Sequence, residues 1–83
     1  MAVWQIDRRS REAAPVLAAA LTDENPSVRE AAAAGLGGIG PPAKRAARAL
    51  IALLKDEDAS VRKAVADALK QIDPQAASKA GVR

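Results

Sequence analysis

Apolar residues recur along this chain at helical spacing, and the recurrence itself repeats. Val61, Ala64, Val65, Ala68, Leu69 and Ile72 form one stripe three and four residues apart, and Leu50, Leu53 and Leu54 form another just before it. Moved back by 33 residues, the pattern is nearly the same: Leu17 answers Leu50, Leu21 Leu54, Val28 Val61, Ala31 Ala64, Leu36 Leu69 and Ile39 Ile72. The polar positions keep step, with Asp23, Glu24, Ser27 and Arg29 matched by Asp56, Glu57, Ser60 and Arg62. A period of this length marks a solenoid, in which each unit buries its apolar face only against its neighbours and the array presents a surface. The pattern therefore points to binding.

Each period holds two helices, A and then B. Asn25 followed by Pro26 reads as an N-cap with proline at the first helical position, and Asp58 takes the capping role one period later. Gly40-Pro41-Pro42 and Asp73-Pro74 stop the B helices. These signals predict helices over about 10–21, 26–39, 42–54 and 59–72. Pro15 falls inside the first and is expected to bend it or delay its start. A shift of two periods lays residues 2–7 on 68–73, so residues 1–7 read as the end of a B helix without its A partner. Whole units follow at 8–40 and 41–73, and 74–83 reads as the opening turns of a further A helix. Such an array is shorter than the three or so repeats usually needed for stability, so its ends are expected to be covered.

Composition narrows this to one small all-α domain. Alanine supplies about a quarter of the residues while Phe and Tyr are absent, which favours helix over strand. With no Cys and no His, neither a disulfide nor a usual zinc site can support so small a core, and packing or assembly must do so. No run of about 18 apolar residues occurs to span a membrane, and the N-terminus lacks the basic and apolar regions of a signal peptide. A soluble, cytoplasmic protein is the expectation. Catalysis has little to stand on, because Ser10, Ser27, Ser60 and Ser78 have no histidine to activate them. We expect no enzyme activity, no cofactor and no metal.

The second half of each unit resembles the HEAT-repeat family, most closely the short subclass named for the phycobilisome lyases. The subclass pattern runs D-x-x-x-x-V-R-x-x-A-x-x-A-L-x-x-I-G. Here the two copies run from Asp23 through Val28-Arg29 to Leu36, Ile39 and Gly40, and from Asp56 through Val61-Arg62 to Leu69, Ile72 and Asp73. The resemblance covers nearly the whole chain and implies an αα-superhelix of stacked helix pairs. It does not imply one activity, since members range from lyases to scaffolds. HEAT-like deoxyhypusine hydroxylases hold iron through His-Glu pairs that cannot be matched here. The resemblance further implies a structural ladder of Asp23, Arg29, Asp56 and Arg62, each arginine reaching carboxylates of its own and adjoining turns.

Charge is sorted by edge. Asp23, Glu24, Asp56, Glu57 and Asp58 crowd the A-to-B turns, where carboxylates favour the dipoles of the B helices. Arg8, Arg9, Arg11, Lys44, Arg45 and Arg48 gather near the starts of the A helices, where cations oppose the dipole; this basic edge is either a solubilising rim or a surface for an acidic partner. On the B face Glu30, Ala34, Lys63, Asp67 and Lys70 are expected to be exposed. Trp4, the one aromatic residue, lies either across Gly37 and Gly38 or in an interface. Gly35, Gly37 and Gly38 each cost about 0.8 to 1 kcal/mol against alanine within a helix. Either a neighbour packs very close to them or the helix end frays. Together these features suggest a non-catalytic protein-interaction module or scaffold that self-associates as a dimer or domain-swapped form. Nucleic-acid or other polyanion binding through the basic edge is the alternative.

Overall fold

The computed structural model describes the backbone of residues 8–82 and the side chains of residues 12–82. Helix α1 spans Arg8–Ala20, α2 Pro26–Ile39, α3 Ala47–Ala52, α4 Ala59–Ile72 and α5 Pro74–Lys79. Two 3-10 segments, Pro41–Ala46 and Leu53–Lys55, flank α3. The expectations for Trp4 and for residues 1–7 lie outside the described residues.

The two longest helices begin where a side chain receives their free amides. The Ser27 amide donates to Asn25 Oδ1 at 2.8 Å at the start of α2, and the Ser60 and Val61 amides donate to Asp58 Oδ1 at 2.9 and 3.1 Å at the start of α4. α2 and α4 lie side by side along their lengths, with α1 against α2 and α3 against α4. Between them the stripes close into one core, in which Leu21, Leu36, Leu50, Val61, Val65 and Leu69 are almost wholly buried. Buried alanines fill much of the rest, and no charged or polar residue is buried among the described residues. This is an all-α helical repeat fold.

Three expectations change. The continuous helix predicted over 42–54 is instead a 3-10 run, a short α3 and a 3-10 turn. Gly40, at φ 81°, makes a turn that only glycine adopts freely, and the prolines after it cannot donate to a helical ladder. α-Helical winding therefore begins only at Ala47. Pro15 does not delay α1, which is helical from Arg8; Pro15 lies on the exposed side, where water can meet the carbonyl it leaves unbonded. Finally, the opening turns expected over 74–83 form as α5 but stop at Lys79. Gly81, at φ 91°, donates to Ser78 O at 3.1 Å and Val82 donates to Ala77 O at 2.9 Å, the paired bonds of a Schellman motif that ends α5 and folds Val82 onto the core.

The glycines of α2 are not alike. A Cβ on Gly37 would stand 3.0 Å from the Ala68 Cα, so its absence lets α2 and α4 approach at that point. A Cβ on Gly38 would meet nothing within 4 Å. The helix end does not fray, since Gly40 N–H donates to Leu36 O at 3.1 Å. Gly38→Ala should therefore raise the melting temperature by roughly 4–8 °C, the equivalent of about 1 kcal/mol. Gly37→Ala should lower it, because the obstructing atom is backbone. Melts followed by circular dichroism would contradict this if Gly37→Ala gained as much as Gly38→Ala.

Candidate functional site

The acidic turn between α3 and α4 is tied to the preceding turn by one guanidinium. Arg29, in the first turns of α2, donates from Nε to Asp56 Oδ2 at 2.8 Å and from Nη2 to Asp56 Oδ1 at 3.2 Å. Its Nη1 donates to the backbone carbonyls of Asp23 at 2.7 Å and Glu24 at 2.9 Å. The two side chains are only 11% and 7% exposed, so the planar fork and the carboxylate meet with little water between them. The Asp58 amide, 2.9 Å from Asp56 Oδ1, holds that carboxyl below its ordinary pKa. The hydrogen bonds from Arg29 add to this effect; partial burial opposes it, and the charges of Arg29 and Arg62 reinforce it.

Of the four ladder residues, Arg29 and Asp56 meet side chain to side chain. The partners six positions apart meet differently: Arg29 and Arg62 each reach the backbone carbonyl of the aspartate in their own turn, Arg62 Nη1 donating to Asp56 O at 2.6 Å. The Asp23 carboxylate accepts the Asn25 amide at 2.8 Å and receives no guanidinium among the described residues.

On their outer side α2 and α4 leave an open groove of about 500 Å³. Its floor is made of small residues, Ala34, Gly37, Ala64 and Ala68, which bring solvent close to the helix backbones. Its rim carries both signs of charge, from Glu30, Lys63 and Asp67, and the polar side chains of Ser60 and Gln71. Glu30, Lys63 and Asp67 are thus brought together from the expected face, whereas Lys70 is exposed but stands apart from the groove. Neither Ser60 nor Gln71 was assigned to this face from the sequence. The signal was available: 60, 64, 67, 68 and 71 form a stripe of small and polar residues offset from Val61, Val65, Leu69 and Ile72. A floor of methyl groups and hydrogens admits the backbone of another polypeptide, and a mixed rim can orient it.

Of the expected basic edge, the side chains of Lys44, Arg45 and Arg48 are among the described residues. Lys44 and Arg45 lie in the 3-10 segment ahead of α3, Arg48 in the first turn of α3, and all are exposed. Lys44 Nζ is 4.0 Å from Asp73 Oδ2, a loose ion pair. Arg45 borders an apolar depression formed by Ala14, Pro15, Ala18 and Ala46. Arg8, Arg9 and Arg11 belong to α1, with their side chains outside the described residues.

No helix among the described residues is long and apolar enough to cross a membrane. A family model for HEAT repeats matches residues 1–47 and again 14–80. No curated protein and no solved structure shows a significant match.

Proposed function

The chain belongs to the HEAT-repeat family, and from that premise we propose that it is a non-catalytic protein-interaction module whose working surface is the groove between α2 and α4. HEAT repeats generally serve protein interaction and scaffolding. The observation that carries the proposal is the make-up of the groove: an alanine and glycine floor beside two long helices, rimmed by Glu30, Lys63 and Asp67. Such a surface takes a segment of another protein, its backbone on the floor and its charged side chains on the rim.

The same proposal includes self-association as a dimer or domain-swapped form. Val16 of α1 is 70% exposed and Ile51 of α3 is 37% exposed, and the apolar depression beside Pro15 adjoins α1. A second copy covering these groups would remove apolar surface from water.

The test compares the chain with Ala64→Arg, which fills the groove from its floor. Affinity recovery of a partner by the original chain, its identification, and its loss with Ala64→Arg at unchanged helicity would support the groove. Retention of that partner by the variant would overturn it. Recovery of nucleic acid, weakening steeply with salt, would instead assign the work to Lys44, Arg45 and Arg48. Light scattering across a concentration series reads the second element, and a monomer throughout would remove self-association.

A further inference from the structure

Arg62 repeats Arg29 on one side and, among the described residues, has no partner on the other. Nη1 of Arg29 donates to Asp23 O at 2.7 Å, and Nη1 of Arg62 donates to Asp56 O at 2.6 Å. Arg29 turns Nε and Nη2 to the Asp56 carboxylate. The same two atoms of Arg62 have no acceptor among the described residues. A planar fork steadied by one bond has less orientational freedom left to lose on binding. Beside it is apolar ground. Arg62 borders a depression with Leu54, Ala66 and Val82, and Lys63 stands next to it. Val82 is held there by the Schellman turn at Gly81.

We propose that this end face is a docking site for an acidic segment of a partner protein. An aspartate or glutamate carboxylate of that segment accepts from Nε and Nη2 of Arg62, as Asp56 accepts from Arg29, while a neighbouring apolar side chain rests on Leu54, Ala66 and Val82. The internal pair selects the ligand, because the molecule already contains the same fork filled by a carboxylate. Charge agrees, since Arg62 and Lys63 both line this depression and are exposed. The face does not suit a further helix pair or an in-register second copy. Lys70 occupies the position held one period earlier by Gly37, where even a Cβ would come within 3.0 Å of the Ala68 Cα. α5 likewise takes the place of the first turns of a further A helix. A turn or short extended segment meets neither obstacle. This inference rests on the reading of the chain as a protein-interaction module but places the partner on a different face.

The experiment uses the full chain labelled with 15N and follows the arginine Nε–Hε resonances. The probe is a synthetic peptide of residues 53–61, the acidic turn that Arg29 itself holds, with an Asp56→Asn peptide as control. The Arg62 signal should move saturably toward the position of the Arg29 signal, and the control peptide should bind about tenfold more weakly. Arg62→Lys, which keeps the charge but loses the fork, should weaken the accompanying shift of the Val82 methyls several-fold. Ala64→Arg in the groove should leave the titration unchanged, so failure of the groove reading and failure of this one are told apart. The proposal is overturned by no saturable shift, by equal binding of the two peptides, or by loss of binding with Ala64→Arg. It is also overturned if inorganic phosphate binds Arg62 more tightly than the peptide does. An Arg62 shift that grows with protein concentration alone and vanishes in Asp23→Asn would assign the site to a second copy and overturn it as well.

Discussion

Arg29→Ala lowers the melting temperature by roughly 10–15 °C, several times the effect of Arg62→Ala, in thermal melts at neutral pH. Both arginines hold the same place in their turns, and the difference lies in what each binds. Arg29 makes four hydrogen bonds, two of them to a carboxylate with little exposure to water. Their loss also leaves the Asp56 carboxylate poorly compensated. Arg62 is exposed and, among the described residues, makes one side-chain bond, to a backbone carbonyl, so its removal costs a few degrees at most. Equal losses for the two variants would show that the Arg29–Asp56 contact does not lock one turn to the next.

The same contact gives stability an acid-sensitive component whose sign follows from Asp56. Its carboxyl titrates below the ordinary value of 3.8 in the folded chain, so the native state binds fewer protons than the unfolded state across the interval between the two values. The stabilisation is fully present above the unfolded pKa and is lost as pH falls through 3.8 toward the lower native value. Asp56→Asn should reduce stability at neutral pH and flatten the decline between pH values of about 5 and 2. A decline as steep as that of the original chain would place the acid sensitivity elsewhere.

The second large effect is in the core. Leu36 is fully buried, and Leu36→Ala should cost about 2–5 kcal/mol. A domain of this length has a total stability on the order of 4–12 kcal/mol, so the variant should be partly unfolded near 37 °C. Much of the surrounding core is alanine, whose short side chains cannot move into the vacated volume. Ile51, partly exposed on α3, provides the contrast, and Ile51→Ala should change stability by about 0.5 kcal/mol or less. Urea unfolding of the two variants checks the pair, and similar midpoints would contradict the buried role of Leu36.

What could be read from the sequence was what depends on neighbours within one or two helical turns. Asn25 and Asp58 marked the starts of α2 and α4, and the apolar stripe on α4 named its buried face, because capping and amphipathicity are local. The Gly81 closure of α5 is equally local, a glycine just beyond a short helix, although by sequence residues 74–83 read only as the opening turns of a further helix. The broken segment over 41–55 was harder to read: its residues favour helix, while two adjacent prolines after a positive-φ glycine set how the chain enters it.

The candidate surfaces needed the packed molecule. Sequence spacing placed Asp23 nearest to Arg29, yet the stacking of one helix pair on the next brings Asp56, 27 positions away, to its fork. Gly37 and Gly38 are adjacent and chemically identical, and only the approach of Ala68 makes one of them a contact and the other open surface. The sequence by itself determined where α2 and α4 run and which side of α4 turns inward, because both follow from periodicity and from bonds that span a few residues. The tertiary structure alone decided which carboxylate fills Arg29, which arginine is left facing outward and where a groove opens, because these depend on the distance and rotation between helices far apart in the chain.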